Sequence, residues 1–374
     1  MLSAHTTMTP LQPSSIAQVQ AAVTAAPRLR VIGGGSKPAL SAVPEGVAGL
    51  DLSHLAGIVE YEPGEFVFTA LAATKAAEVE AMLAEHGQYL PFDPLFVDRG
   101  ATLGGIVAAN TAGPGRYRFG GVRDFLIGIR FVDGEGNLVR GGGKVVKNAA
   151  GFDFPKLMVG ALGRLGVLVE LSFKVFPRPA AYATLVASYP DLASALAART
   201  RLSTSALDLE ALEIEIGGDG VPRLELRLGG PADVLPSRSE RLQAFLAADA
   251  GVEFRALGGE EEAAFWRDRR ELAWAPANAC LLKIPLTPAR IPELESRVAG
   301  AGVRRRYSCG GNVAWLAWPE ADAGRAQAEA ILGALNLAGM QLAGTPGEAL
   351  LGAQPDAIFL RRVKQALDPF GRFH

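Results

Sequence analysis

Two periods of apolar spacing organise this chain. The plainest two-residue alternation lies at 167–176, where Val169, Leu171, Phe173 and Val175 face one way and Leu168, Glu170, Ser172 and Lys174 face mostly to water. That spacing predicts a half-buried strand. The run Leu29-Arg30-Val31-Ile32 predicts a short strand that feeds directly into Gly33-Gly34-Gly35-Ser36. Turn residues predict two hairpins. One pairs 57–61 with 66–72 around Pro63-Gly64, and the other pairs 127–132 with 137–140 around Asp133-Gly134-Glu135-Gly136. Helical spacing appears at 14–26 and again at Val79, Met82, Leu83 and His86, with Thr74 as the expected N-cap and Gly87 as the stop.

After Pro177-Arg178-Pro179 the mixture changes. Strands are predicted near 183–188, 211–216, 223–228, 281–286, 313–318 and 340–343, interleaved with helices that include 237–248, 260–273, 322–334 and 355–367. Ser237 and Glu240 form a candidate capping box, and Thr287-Pro288 a candidate helix start. The expected class is α+β: a first lobe to residue 179, then a lobe over 180–354 built as an antiparallel sheet covered by helices. A length of 374 residues fits two lobes better than one.

Composition narrows the chemistry. A net charge of −2 gives no basic surplus for nucleic acid. No apolar run is long enough to span a bilayer, and MLSAHTTMTP lacks the pattern of a signal peptide. The expectation is a cytoplasmic protein, held peripherally at a membrane through partners. Cys280 and Cys309 are too few for an iron–sulfur cluster or a four-cysteine zinc site. The four histidines, His5, His54, His86 and His374, show no ligand spacing, so no metal is expected. The 44 glycines fall in short runs between apolar segments, a backbone shaped for close approach.

Three segments carry the candidate site. Gly33, Gly34 and Gly35 leave a strand, where successive N–H groups can converge on an anion, with Ser36 and Lys37 adding a hydroxyl and a charge. Pro38 breaks the dinucleotide fingerprint, and no helix is expected there. Taken alone, the loop reads more readily as a plain turn. The second segment holds Thr102, Leu103, Gly104, Gly105, Ala108, Asn110, Thr111 and Gly113. Its small residues suit either a flat ring system or a tightly packed helix, and only the first explains the polar groups. The third runs from Lys147-Asn148-Ala149-Ala150-Gly151-Phe152-Asp153 to Gly166-Val167-Leu168.

In this order and spacing the three segments resemble the FAD-binding domain of the vanillyl-alcohol oxidase/PCMH-type superfamily of FAD-linked oxidases. Within it the chain is similar to the FAD-binding subunits of bacterial glycolate oxidases. That likeness rests on Gly87-Gln88-Tyr89-Leu90-Pro91-Phe92-Asp93-Pro94, on 142–148, on Phe265-Trp266-Arg267-Asp268-Arg269-Arg270-Glu271 and on the 367–373 ending. The resemblance implies an FAD-binding domain over 1–179, a cap over 180–354 and a segment at 355–374 returning to the FAD domain. It implies FAD held by residues 33–37, Pro91, the eight residues of the second segment, Gly166 and Val167. No His stands at 33–37 and no Cys at 100–121, so non-covalent FAD is expected.

It further implies a small 2-hydroxyacid as substrate, with a sister flavin subunit and an iron–sulfur subunit as partners. A stand-alone alcohol or hydroxyacid oxidase and a non-catalytic assembly subunit are the alternatives. Arg116, Arg123 and Arg270 are candidates to grip the substrate carboxylate, with Arg269 and Lys283 behind them. Arg304-Arg305-Arg306 reads as a solvated strand edge or a partner contact. Tyr117, Tyr307 and Lys147 are conceivable bases, and none is assigned.

Overall fold

The computed structural model describes residues 9–143, 152–354 and 357–374. Two antiparallel sheets dominate it, and both follow the apolar spacing. The first has five strands in the spatial order Ile58–Glu62, Val67–Leu71, Val167–Lys174, Leu126–Val132 and Leu138–Gly142. Val167–Lys174 is central, and its Val169, Leu171 and Phe173 are fully buried. Its other face is used too. Leu168 is buried, Glu170 pairs with Arg130 at 2.9 Å, and the Ser172 hydroxyl meets that of Thr69 at 2.8 Å.

The second sheet has nine strands, all within residues 181–352. Its middle strands show why it needs cover on both faces. In Cys280–Pro285 and Val313–Trp318, the residues Cys280, Leu282, Ile284, Ala314, Leu316 and Trp318 enter a core shared with the overlying helices. The alternate set of Leu281, Val313, Trp315 and Ala317 enters the core of the five-stranded sheet. The period of two thus joins the two halves through one sheet.

Several local expectations need correction. Thr74 does not cap the helix Ala76–Ala84; Lys75 precedes it without a side-chain cap bond. The Thr74 hydroxyl instead donates to the Leu71 and Gly57 carbonyls and accepts from the Gly57 N–H, pinning a strand end. Ser237 and Glu240 form no capping box, because the helix starts two residues earlier, at Leu235, with Pro236 in its first turn. A one-turn helix does open at Pro38–Ser41, since proline is tolerated where the N–H has no acceptor.

The triple-arginine run is no solvated edge. Arg304–Ser308 lies between Ala211–Ile216 and Val313–Trp318. Arg306 is 3% exposed and pairs with Glu215 at 3.0 Å and with Glu225, which Arg269 also grips at 2.6 Å. Glu213, opposite Glu225, accepts from the Ser308 hydroxyl and the Cys309 N–H. Burial pushes the Glu213 carboxyl up to about 7. The guanidinium groups of Arg306 and Arg269 hold Glu225 below its usual range despite its burial.

The chain near 370 closes against the start of the fold. Leu29 pairs in parallel with Phe373, with the Leu29 N–H donating to the Arg372 carbonyl at 2.6 Å and the His374 N–H to the Leu29 carbonyl at 2.9 Å. Asp368, 2% exposed, fixes this return by accepting from the Arg372 and Phe373 amides, both at 2.9 Å, and from Lys364. Asp368→Ala strands two amides and leaves the Lys364 ammonium with only the Arg164 and Phe373 carbonyls. It is expected to cost roughly 2–3 kcal/mol and to speed hydrogen exchange at Leu29 and Phe373. Unchanged exchange at both amides would show that the tie is unimportant.

Candidate functional site: a glycine-walled cationic cleft

The strand Leu29–Ile32 pairs in parallel with Ala48–Asp51 and delivers Gly33-Gly34-Gly35 onto the loop at 100–102. The fit is backbone on backbone. A Cβ at Gly34 would stand 2.0 Å from the Gly100 carbonyl oxygen, and one at Gly33 would stand 2.8 Å from the Thr102 hydroxyl. Gly35 has φ +68°, a conformation that L side chains rarely adopt.

The second wall is the helix Leu103–Ala109. The Thr102 hydroxyl caps it, accepting from the Gly105 N–H at 3.2 Å. Gly104 packs so closely on Ala72 that a Cβ would come within 2.9 Å of its carbonyl oxygen. The third wall zips onto this helix: the Gly160 and Leu162 amides donate to the Val107 and Ala108 carbonyls, both at 2.9 Å. Between the walls runs a cleft lined by all three segments.

The lining is small and carries one sign of charge. Glycine or alanine stands at 33–35, 72–73, 104–105, 108–109, 161, 163 and 166. Arg30 and Lys37 are the only charged residues among those described as lining it. Lys37 is 6% exposed; its ammonium donates to the Ser36 hydroxyl at 3.1 Å and lies 5.9 Å above the Phe96 ring. Burial without a carboxylate partner pulls its pKa down to about 8. Arg30 bonds the His374 ring through Nη2 at 3.0 Å, while its buried Nε has no partner in the described structure. Buried donors without acceptors beside bare backbone are what a bound anion would satisfy. Flat apolar rings fit against walls that a Cβ would fill. These residues therefore suit FAD.

Of the residues expected to hold the cofactor, Gly33, Gly34, Gly35, Ser36, Lys37, Thr102, Gly104, Gly105, Ala108 and Gly166 line the cleft. Leu103 and Val167 are wholly buried in hydrophobic core. Pro91, Asn110, Thr111 and Gly113 lie outside the lining as well. Asn110 ends the helix in the left-handed region, and its carbonyl accepts from the buried Lys283 of the nine-stranded sheet. Burial, with the Arg116 guanidinium nearby, lowers the Lys283 pKa to about 8. Thr111 is fully buried with its hydroxyl unpartnered, and the Gly113 N–H donates to the Asp93 carbonyl at 2.7 Å.

The three carboxylate-grip candidates do not converge, and none lines the cleft. Arg116 is half-buried with its stem on Gly121, and Arg123 is exposed. Arg270 pairs with Glu80 at 2.6 Å beside a different cavity. Of the conceivable bases, Tyr307 donates to Glu295 inside the core and Tyr117 packs on Gly310. Lys147 lies outside the described residues, as do 144–151 of the matched motifs. Arg30 and Ala72-Ala73 lie outside the three segments and still line the cleft, as do Ala161-Leu162-Gly163 of the third; the signal for Ala72-Ala73 was a small-residue pair at a strand end.

Comparison with known proteins follows the same outline. Residues 10–142 match the family described as FAD binding domain. Over 168 residues the chain is 45% identical to the glycolate oxidase subunit GlcE of Escherichia coli (strain K12), covering 45% of this chain and 48% of that protein. Over 266 residues it is 26% identical to the glycolate oxidase subunit GlcD of Bacillus subtilis (strain 168), covering 67% and 56%. It is 28% identical over 207 residues to D-2-hydroxyglutarate dehydrogenase of Stutzerimonas stutzeri (strain A1501), covering 54% and 44%. The chain spans about half the length of these relatives. Among solved structures, an alkyldihydroxyacetonephosphate synthase superposes with TM-score 0.70 at 16% identity, covering 96% of this chain and 74% of the other, which is a likeness of fold.

Proposed function

We propose that this chain, whose residues 10–142 match an FAD binding domain, is a member of the FAD-linked oxidase superfamily and the FAD-binding subunit of a complex that oxidises glycolate or a close 2-hydroxyacid. One observation carries the reading. Among the described residues the cleft places two cations, Arg30 and Lys37, and no anion, among walls of glycine and alanine. Two positive charges beside bare backbone complement a pyrophosphate, and the Cβ-free walls admit flat rings. When bound, FAD supplies the two-electron acceptor. The chain's own residues would hold and orient it: Arg30, residues 33–37, Thr102, Gly104 and Gly105 at the pyrophosphate, and Leu52, Ala72, Ala73, Met158, residues 161–163, Gly166 and Leu168 around the rings.

In this reading residues 1–179 form the FAD-binding domain, 180–354 the cap and 355–374 the returning segment. Similarity to two glycolate oxidase subunits supports a multi-subunit complex; in this reading its partners are a sister flavin subunit and an iron–sulfur subunit. No helix of the described residues is long and apolar enough to cross a membrane, which fits a cytoplasmic subunit held at the membrane by partners. The test is spectroscopic. The purified chain is expected to show a two-band flavin spectrum, released by acid as free FAD. Glycolate is expected to bleach it fully once the partner subunits are added. A colourless protein that cannot be loaded with FAD overturns the proposal.

Lys37 gives a pH signature. Its pKa in the cofactor-free chain is about 8, and an anion beside it raises that value. Binding is then strongest below pH 8, where the ammonium is already charged. As pH rises above 8, binding must bring a proton, so affinity falls by up to about tenfold per unit. Fluorescence titration of FAD between pH 7 and 10 is expected to show this slope. Lys37→Met is expected to flatten it.

A further inference from the structure

A second cavity, of about 370 Å³, lies apart from the flavin cleft. One wall comes from residues 80–98 and the other from 178–271. Arg227 lines it, buried and held still. Its Nε and Nη2 bond Glu262 at 2.8 and 3.2 Å, and Glu262 also accepts from the Thr184 hydroxyl, itself bonded by the Trp266 indole at 2.7 Å. The Tyr182 ring stacks on the guanidinium with 3.9 Å to its centroid. This pairing leaves Nη1 of Arg227 without a hydrogen-bond partner among the described residues.

Arg178 and Arg267 stand exposed on the cavity's rim and make no side-chain hydrogen bond or ion pair among the described residues, while Arg270 keeps a buried Nε with no partner. The acids facing them are largely engaged. Glu80 is taken by Arg270, Asp93 accepts from the Gly115 N–H at 2.8 Å, and Glu271 accepts from the Asp98 N–H at 3.0 Å. The other Glu271 oxygen makes no hydrogen bond but faces Arg99 as an ion pair at 3.8 Å, and Asp98 sits exposed on the rim. Four arginines line the cavity against four carboxylates, so its charge is balanced; the forked donor edge that Arg227 leaves free suits a carboxylate. Beside them stand two tyrosines, Tyr89 and Tyr182, and the second oxygen of Asp93. Burial keeps both phenols protonated, Tyr182 up to about 12, so they can hydrogen-bond a hydroxyl group. Asp93 is held at φ +49°, a strained setting for a non-glycine residue.

We infer that this cavity is a binding site for a small hydroxycarboxylate, its carboxylate gripped by Arg227 with Arg178 and Arg267, and its hydroxyl held between Tyr182 and Asp93. The ligand class rests on the 2-hydroxyacid reading above, and the site makes Arg227 a specificity residue that the sequence did not single out.

The test titrates glycolate calorimetrically into the full-length chain, with flavin absorbance read on the same samples. Saturable binding is expected, weakened about 30-fold by Arg227→Met, the loss of a charge-assisted grip of about 2 kcal/mol. Because Arg227→Met strands Glu262, the rim double variant Arg178→Gln/Arg267→Gln is measured beside it, with a loss of about fivefold expected. No saturable binding to the wild type, or unchanged affinity in every folded variant, overturns the assignment. Glycolate binding that survives in a chain unable to hold flavin would sink the cofactor reading and leave this site standing.

Discussion

Gly34→Ala is expected to strip the chain of FAD. The added Cβ would sit 2.0 Å from the Gly100 carbonyl oxygen, a main-chain atom with no rotamer through which to retreat. Gly100 is itself at φ +76°, so its peptide has little room to turn. The loop must lift off the 100–102 segment, and residues 33–37 leave the cleft with it. Overpacking against main chain belongs at the upper end of about 1–3 kcal/mol, so FAD affinity is expected to fall by roughly 100-fold. Equilibrium dialysis of FAD against the variant measures this. Gly218→Ala is the control, because its Cβ would meet nothing within 4 Å. Wild-type affinity in Gly34→Ala would mean that the glycine loop is not the cofactor's seat.

Arg306→Met is expected to cost about 3–5 kcal/mol, the largest stability loss in the molecule. Arg306 lies on an interior strand, and its guanidinium bridges Glu215 and Glu225, the latter 1% exposed. Removing the cation leaves Glu225 with Arg269 alone and places it opposite Glu213 without the charge that separates them. Urea denaturation reads the loss as a shift in midpoint. Adding Glu225→Gln should recover part of it, because the neutral amide no longer needs two cations. A single-variant loss under about 1 kcal/mol would show that the network is solvated after all.

Periodicity and glycine chemistry made much of this legible. The alternation at Val167–Lys174 gave the central strand of the first sheet, and the strand-to-glycine step at Ile32–Gly33 gave the cleft's first wall. What was not legible depended on contacts between distant segments. Arg304-Arg305-Arg306 is polar on both strand faces, so alternation alone suggests solvent; the acids of Arg306 come from strands near 215 and 225, and that of Arg305 from the helix Ile291–Val298. Arg270 belongs to a matched motif, but only the fold reveals Glu80 as its partner. Thr74 and Ser237 carry capping side chains, yet tertiary acceptors at Gly57 and an earlier proline-led helix start override that local preference. The second segment divided for a helical reason: Gly104, Gly105 and Ala108 share the cleft face, while Leu103 is turned to the core and Thr111 follows the helix end.

The pairing of Leu29 with Phe373 also bears on how the protein is made. During synthesis the parallel pair of Leu29–Ile32 and Ala48–Asp51 emerges early, yet Leu29 keeps an open edge until residue 373 has left the ribosome. The strand that carries the glycine loop is therefore completed by one of the most sequence-distant contacts in the chain, and such contacts close slowly. A nascent chain stalled before residue 368 would present that edge unpaired, and a chaperone or a partner subunit arriving during translation would find it exposed.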